Sequence, residues 1–283
     1  MPADPILVLG ATGGQGGAVV DALLARGARV RALVRDPQSP RARRLAARGV
    51  EAVAGALDDR SSLAAAMRST ATLFAVTTPF EAGVDAEIQQ GRAILAAAHD
   101  ARVPHLVFSS VAGADQDSGV PHFESKALIE RELTAGDVGY TILGPTYFFD
   151  NALGGERDIR NGILQLPLPP DRPLQQLDRP DLGRFAAEVL LAPDRYNKQR
   201  IELAGDDPTP VQMAATLGSV LGHPVRHEEV PLAAIGNADI RAMWEFLRGP
   251  GYRVDMAALR AAHPALPWAS FPDWATRTLG GSS

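Results

Sequence analysis

The sequence lacks cysteine altogether, and this absence excludes a set of chemistries. Among its 283 residues there is no thiol that could form a disulfide, a zinc–thiolate site, an iron–sulfur cluster or a cysteine nucleophile. Long runs of one charge are also missing, and the formal net charge is only −5. A general nucleic-acid binder, or a protein that binds anionic membranes, would need a basic surface. We therefore predict no direct nucleic-acid partner and no membrane partner.

Long apolar runs are equally scarce. No stretch approaches the roughly 20 residues that a membrane-spanning helix needs. The opening residues, MPADPILVLG, carry no basic segment and run directly into a predicted strand, which is not the pattern of a signal peptide. Hydrophobic residues make up 46% and charged residues 22% of the chain, which is ordinary for a globular protein. These features predict a cytoplasmic protein with a sizeable core.

Strand and helix patterns alternate over the first half of the chain. The predicted strands are 6–9, 30–34, 50–54, 72–76, 106–109 and 140–143, with helical segments between them. This alternation is typical of an α/β fold with a doubly wound, parallel, Rossmann-type sheet. Beyond about residue 150 proline, glycine and charge increase. We assign residues 1–150 to an NAD(P)-binding domain and 151–283 to a smaller, mainly helical lobe, with some interleaving of the two.

A glycine-rich loop follows the first predicted strand directly and opens the first predicted helix. Its glycines have the spacing G-x-x-G-x-x-G. Gly10 permits a sharp turn, Gly13 lets the backbone approach a pyrophosphate, and Gly16 lets the helix pack closely on the sheet. The strand–turn–helix context favours dinucleotide binding over a tight turn without a ligand. The residues of this loop predicted to contact the cofactor are Gly10, Thr12, Gly13, Gly14, Gln15 and Gly16.

The end of the second predicted strand bears on the choice between NADP(H) and NAD(H). Arg35 follows Val34, and an arginine there accommodates a ribose 2′-phosphate, whereas an acidic residue holds the 2′-hydroxyl of NAD. A guanidinium is always charged and binds phosphate through two parallel donors. Asp36 is the alternative, since it would face the ribose if the strand ended one residue later. We favour NADP(H), with NAD(H) as the less favoured cofactor.

Two further loops at strand ends are expected to border the cofactor. Leu57 and Asp58 follow the third predicted strand and are placed to flank an adenine. Thr77, Thr78 and Pro79 follow the fourth predicted strand. Ligands of such sheets bind at the carboxyl ends of the strands, so both loops belong to the predicted site.

Candidate proton-transfer groups lie at and beyond the end of the fifth predicted strand. Ser109 ends this strand, and the segment HFESK, with His122 and Lys126, opens the next helix. This arrangement resembles the proton-transfer site of the short-chain dehydrogenases/reductases, which consists of a serine, a tyrosine and a lysine four residues after the tyrosine. Histidine stands in the place of the tyrosine, which argues against their ordinary chemistry. Ser109 could also simply terminate the strand by bonding backbone groups.

Several segments resemble the NmrA-like family of atypical short-chain dehydrogenases/reductases. They are GATGGQGG, LVRDP, HFESK, GPTYFFDN at 144–151 and the C-terminal segment from MWEFLRGPG onward. The family includes reductases of quinones or dyes and NADP(H)-responsive regulators with little or no catalysis. The resemblance implies that Lys126 contacts the nicotinamide ribose. It also implies a nicotinamide pocket lined by Pro145, Thr146, Tyr147 and Phe148.

Two functions stay open on these grounds. The first is an NADPH-dependent reductase of small carbonyl or quinone-like acceptors, with the proton supplied by water, Lys126 or His122. His122 is chemically able to carry a proton, although a histidine beside Pro121 needs no function. The second is a redox sensor that acts through a protein partner as its NADP(H) occupancy changes. No pattern indicates a metal site, and we expect a monomer or a homodimer.

Overall fold

The computed structural model describes residues 4–281 of the chain. Its strands are β1 (Ile6–Val8), β2 (Val30–Val34), β3 (Glu51–Ala54), β4 (Leu73–Val76), β5 (His105–Ser109), β6 (Gly139–Pro145), β7 (Tyr147–Phe148), β8 (Ile163–Leu166), β9 (Gln176–Leu177), β10 (Gln199–Leu203) and β11 (Arg226–Glu229). Its α-helices are α1 (Gly14–Ala25), α2 (Pro40–Ala46), α3 (Arg60–Met67), α4 (Val84–Asp100), α5 (Pro121–Thr134), α6 (Glu156–Arg160), α7 (Arg179–Leu191), α8 (Pro193–Tyr196), α9 (Pro210–Leu221), α10 (Ala238–Arg248), α11 (Met256–Ala262) and α12 (Phe271–Leu279).

Seven of these strands form one parallel sheet in the order β10-β6-β5-β4-β1-β2-β3. This is the strand order of a doubly wound Rossmann-type sheet with one further strand beside β6, so the predicted fold class is confirmed. The order reverses between β1 and β4. The carboxyl ends of these two strands therefore border the crevice in which such folds bind their ligands.

The apolar core lies in two layers, one on each face of the sheet. In β1 and just beyond it, Ile6 and Val8 belong to the cluster with α1 and α7, whereas Leu7 and Leu9 belong to the cluster with α3, α4 and α5. The alternation follows from the two-residue period of a strand. Because both faces are covered, every residue of β1 and β5 is buried. This explains why β1 is a continuous apolar run and why β5 is apolar between its two end residues.

Residues of the second half complete the sheet and one of its helical layers. β10 pairs in parallel with β6 and forms the edge of the sheet. Helix α7 packs closely along α1, since a Cβ on Gly183 would lie only 2.3 Å from the Ala18 carbonyl oxygen. The second half therefore returns to the dinucleotide-binding sheet. A domain boundary at residue 150 stays a prediction.

A third apolar cluster forms the core of the C-terminal lobe. Its buried aromatic members include Phe149, Trp244, Phe271 and Trp274. Two short parallel pairs, β8 with β11 and β7 with β9, accompany the helices of the lobe. Within residues 4–281, no helix combines the length and the apolar character needed to cross a bilayer.

Candidate functional site

The glycine loop joins β1 to α1 at the crevice. Gly10 has a positive φ of 69°, and the Gly13 N–H donates to the Gly10 carbonyl oxygen at 2.9 Å, which closes the turn. A Cβ on Gly16 would lie 2.3 Å from that same oxygen, so no larger residue fits there. Thr12 is exposed on the outer side of this turn. The loop therefore has the sharp turn at Gly10 and the close approach of the helix at Gly16 that the spacing of its glycines predicts.

The start of α1 is open to an anion. Its N-cap is Gly13, which has no side chain to accept from the first amides of the helix, and no acidic residue lies in the first turn. The amide N–H groups that open a helix have no intrahelical partner, and the helix dipole adds positive potential there. Exposed glycines leave this end accessible. The pyrophosphate of a dinucleotide is the kind of anion that a helix start of this type binds.

Gln15 and Ser109 are brought together across the crevice. The Ser109 hydroxyl donates to Gln15 Oε1 at 2.7 Å, and Ser109 is wholly buried at the end of β5. The contact ties the first turn of α1 to the carboxyl end of the sheet. The hydroxyl thus bonds a side chain of the glycine loop, which places two of the predicted cofactor residues side by side.

Lys126 is buried at the carboxyl end of β4. Its Nζ lies 2.9 Å from Glu87 Oε1 and donates to the Thr77 carbonyl oxygen at 3.2 Å. The Thr77 hydroxyl donates to Glu87 Oε1 at 2.8 Å, and the Ser125 hydroxyl donates to Glu87 Oε2 at 2.5 Å. Lys126 is 8% exposed and Glu87 is wholly buried. The predicted lysine and threonine therefore meet, around a glutamate that the sequence did not single out.

The adenine-ribose end of the predicted site is more open. The Arg35 side chain is 81% exposed, and its Nη1 lies 3.4 Å from Glu81 Oε2 in the loop after β4. The Asp36 carboxylate accepts from the Gln38 N–H at 2.8 Å, so it is engaged in a local turn. Leu57 packs in part against the core beneath α3, and Asp58 is exposed. Arg35 is thus a cation at this edge that is accessible to a phosphate.

The 145–148 segment passes from the sheet into the lobe. Pro145 ends β6, and the Thr146 N–H and hydroxyl both donate to the Leu203 carbonyl oxygen at 3.0 Å. The Tyr147 ring packs against Trp244 with ring centroids 5.4 Å apart. Both hydrogen-bond donors of Thr146 therefore bind the last residue of the edge strand β10. A nicotinamide pocket lined by this segment, including Phe148, stays a prediction, as does the role of Thr78 and Pro79 beside Thr77.

His122 forms a pair that the sequence did not predict. Its Nδ1 lies 2.6 Å from Asp239 Oδ1, and its backbone N–H donates to the same oxygen at 3.3 Å. Since a carboxylate only accepts, Nδ1 carries the proton in this bond. The His122 side chain is 7% exposed and its ring lies 5.6 Å from that of Phe80. Asp239 opens α10, so the pair joins the lobe to the helix that carries Lys126.

The strand order, the glycine loop at its switch point and the buried lysine at its carboxyl edge define a Rossmann-type protein of the dinucleotide-binding class. The model of the NmrA-like family matches residues 2–249. The chain belongs to the NmrA-like family, which confirms the resemblance seen in the sequence.

Similar proteins include enzymes and a regulator. An NAD(P)H azoreductase from Xenophilus azovorans is 31% identical over 228 residues, which cover 80% of this chain and 77% of that protein. The NADPH complex of an NADPH-dependent quinone oxidoreductase from Escherichia coli has a TM-score of 0.82 at 23% identity, over 96% of this chain and 99% of that one. The negative transcriptional regulator NmrA in complex with NADP has a TM-score of 0.80 at 20% identity, over 98% and 96%.

Proposed function

We propose that this protein is an NADPH-dependent reductase of small carbonyl or quinone-like acceptors. The observation that carries the proposal is Lys126, buried in the crevice of the sheet and held by Glu87 and the Thr77 carbonyl at 2.9 and 3.2 Å. A buried, paired lysine beside an anion-binding loop is an arrangement expected of a cofactor site. The relative from Xenophilus azovorans, which is named an NAD(P)H azoreductase, supports assignment to the reductases.

The residues present suit NADP(H). The open start of α1 would hold the pyrophosphate, Arg35 the ribose 2′-phosphate, and Lys126 the nicotinamide ribose. NADPH supplies the hydride when it is bound. The remaining task of the protein is to orient the acceptor beside the cofactor and to limit access of water.

The acid–base groups suit an acceptor that needs little help with its proton. Reduction of a quinone gives oxygen anions that water protonates readily, so a strong general acid is dispensable. His122 donates Nδ1–H to Asp239 and is almost wholly buried, so its first role is to join two helices. Water, or Lys126 through its ammonium group, then supplies the proton. An acceptor of this kind is consistent with a site that has histidine in place of tyrosine.

One observation favours the second candidate, a redox sensor. The bond from His122 to Asp239 links the helix of Lys126 to α10 of the lobe, at 2.6 Å. A cofactor whose two redox states bind two positions of the lobe with different affinity would shift their populations. A protein partner that contacts the lobe would then respond to the redox state.

The decisive experiment is a calorimetric titration of the purified protein with NADPH and with NADH, followed by turnover with a panel of small quinones. We expect NADPH to bind more tightly and at least one quinone to be reduced. Tight binding without turnover of any acceptor would favour the sensor. Absence of binding would contradict both. A cytoplasmic location and a monomeric or homodimeric state stay predictions from the sequence.

A further inference from the structure

Arg179 lies against the glycine loop although it comes from the second half of the chain. It is the first residue of α7, the helix that packs along α1. A Cβ built on Gly14 would lie 2.9 Å from both Cζ and Nη1 of Arg179. The guanidinium therefore occupies the space that a side chain at position 14 would need. Glycine at this position gives an arginine from elsewhere in the chain room beside the start of α1.

The start of α1 and the Arg179 guanidinium are two positive groups that lie close together, and the carboxylate of Asp150, 3.7 Å from Nε, offsets only part of this charge. Residues that open a helix are at its positive end, where acidic side chains stabilise and cations destabilise. The first turn of α1 contains no acidic residue, and its N-cap Gly13 provides no side-chain acceptor. The chain nevertheless places a guanidinium beside it. An anion bound between the first amides of α1 and Arg179 would interact favourably with the positive helix start and with the guanidinium.

The contacts of Arg179 hold its position and leave its donors available. The Cζ atom lies 5.7 Å from the centroid of the Phe148 ring, which is within the range of a cation–π contact. Asp150 Oδ2 lies 3.7 Å from Nε, longer than a hydrogen bond, and this buried oxygen has no hydrogen-bond partner among the described residues. The Arg179 side chain is 34% exposed. Asp150 thus offsets part of the charge without engaging the donors.

We propose that Arg179 binds the pyrophosphate of the dinucleotide, opposite the first amide groups of α1. The inference rests on the proposed function and assigns to the second half of the chain a direct part in cofactor binding. A planar guanidinium suits this ligand, because two parallel donors match two phosphate oxygens. The pyrophosphate is common to NADPH and NADH. Arg179 therefore contributes affinity for both cofactors, whereas Arg35 is expected to distinguish between them.

The test is calorimetric titration of NADPH and NADH into the full chain and its variants. We expect Arg179→Gln to weaken both cofactors by the same factor, about tenfold to a hundredfold, the usual range for loss of a charge-assisted bond. Arg179→Lys keeps the charge but lacks the planar guanidinium, so its cofactor affinities should lie between those of the wild type and of Arg179→Gln. Arg160→Gln is the matched control, since Arg160 is similarly exposed, at 36%, and is ion-paired with Glu156 away from the loop. Its affinities should equal those of the wild type.

Three results would overturn the inference. Unchanged affinities in Arg179→Gln would overturn it alone and leave the proposed function in place. A loss confined to NADPH would mean that Arg179 serves the 2′-phosphate and not the pyrophosphate. Wild-type protein that binds neither cofactor would overturn both proposals. Thermal unfolding of each variant checks that it is folded. If Arg179→Gln does not fold, the comparison of Arg179→Lys with the wild type still tests the inference.

Discussion

The ammonium group of Lys126 lies 2.9 Å from the wholly buried carboxylate of Glu87. The two residues come from neighbouring helices, α5 and α4, and two hydroxyl groups complete the bonds of the carboxylate, those of Thr77 and Ser125. A buried ion pair of this kind contributes little net stability, but removal of one partner is costly because the other charge is left unpaired. We therefore expect Glu87 to be a positioning residue that holds Lys126 at the carboxyl edge of the sheet.

We expect Glu87→Gln to lower the free energy of unfolding by about 3 to 5 kcal/mol. Lys126→Met should also destabilise the protein, because Glu87 is then unpaired. The double variant should lose less than the sum of the two single losses, since no charge is left buried alone. Urea denaturation of the wild type and the three variants measures this coupling. Losses that simply add would show that the two residues do not depend on each other.

The two glycines that follow Gln15 offer a matched pair of substitutions. A Cβ on Gly16 would lie 2.3 Å from the Gly10 carbonyl oxygen, whereas a Cβ on Gly17 would meet its nearest neighbour, the Ala11 carbonyl oxygen, at 3.6 Å. We expect Gly16→Ala to displace the loop and to weaken NADPH binding at least tenfold. Gly17→Ala should bind normally and gain up to about 1 kcal/mol of stability from the better helix former. NADPH titration and thermal unfolding check both, and equal behaviour of the two variants would contradict the role of the loop.

The fold was predictable because its signals are local. Continuous apolar runs specify strands buried on both faces, and the predicted strand 30–34 agrees residue for residue with β2, Val30–Val34. The edge strand β10 was missed because three of the five residues in its sequence, QRIEL, are polar and three of the five are only partly buried. A short alternating segment of this kind does not differ from a loop until β6 pairs with it.

Candidate site residues could be predicted from the sequence only where one short segment carries the pattern, as in the glycine loop and in the segment of Lys126. Their roles in cofactor binding stay predictions. The partners Glu87 and Asp239 depend on helix packing, and Asp239 lies 117 positions from His122. Arg179 opens α7, and its position beside the glycine loop depends on the packing of α7 along α1. The sequence around a single charged residue on a predicted helix does not show which distant residue will contact it in the folded protein.

Arg35 is expected to determine the preference for NADPH. Its guanidinium is exposed, and its Nη1 lies 3.4 Å from Glu81 Oε2. We expect Arg35→Ala to weaken NADPH about tenfold to a hundredfold and NADH less than about threefold, because only NADPH has the 2′-phosphate. Glu81→Gln removes a competing anion and should strengthen NADPH binding by a small factor. Calorimetry decides, and equal weakening of both cofactors by Arg35→Ala would exclude contact with the phosphate.

His122 is expected to contribute mainly to stability and little to catalysis. Its imidazole is buried and donates to Asp239, so His122→Ala should lower the free energy of unfolding by about 1 to 3 kcal/mol. Most of the proposed quinone reductase activity should remain, since water can protonate the product. Steady-state kinetics and NADPH titration of the variant separate the two roles. Loss of turnover with normal NADPH affinity would make His122 the proton donor.

His105 gives the stability of the protein a dependence on pH. Burial lowers the pKa of His105 from 6.5 to about 4, opposed by the nearby charge of Asp194. Its Nε2 lies 2.9 Å from the Thr141 hydroxyl oxygen, and that hydroxyl donates to the Tyr196 carbonyl oxygen, so Nε2 is the protonated nitrogen of a neutral ring. The neutral imidazole is thus the form that the fold selects.

The unfolded chain binds a proton at His105 near pH 6.5, whereas the folded protein does so only near pH 4. The contribution of His105 is therefore fully present above pH 6.5 and is lost as the pH falls toward 4, by an amount on the order of 3 kcal/mol. His105→Gln should flatten the stability profile over this window, while His99→Gln, at a side chain that is 70% exposed, should leave it unchanged. Urea denaturation at intervals between pH 4 and pH 7.5 measures the difference, and parallel profiles for wild type and His105→Gln would refute it.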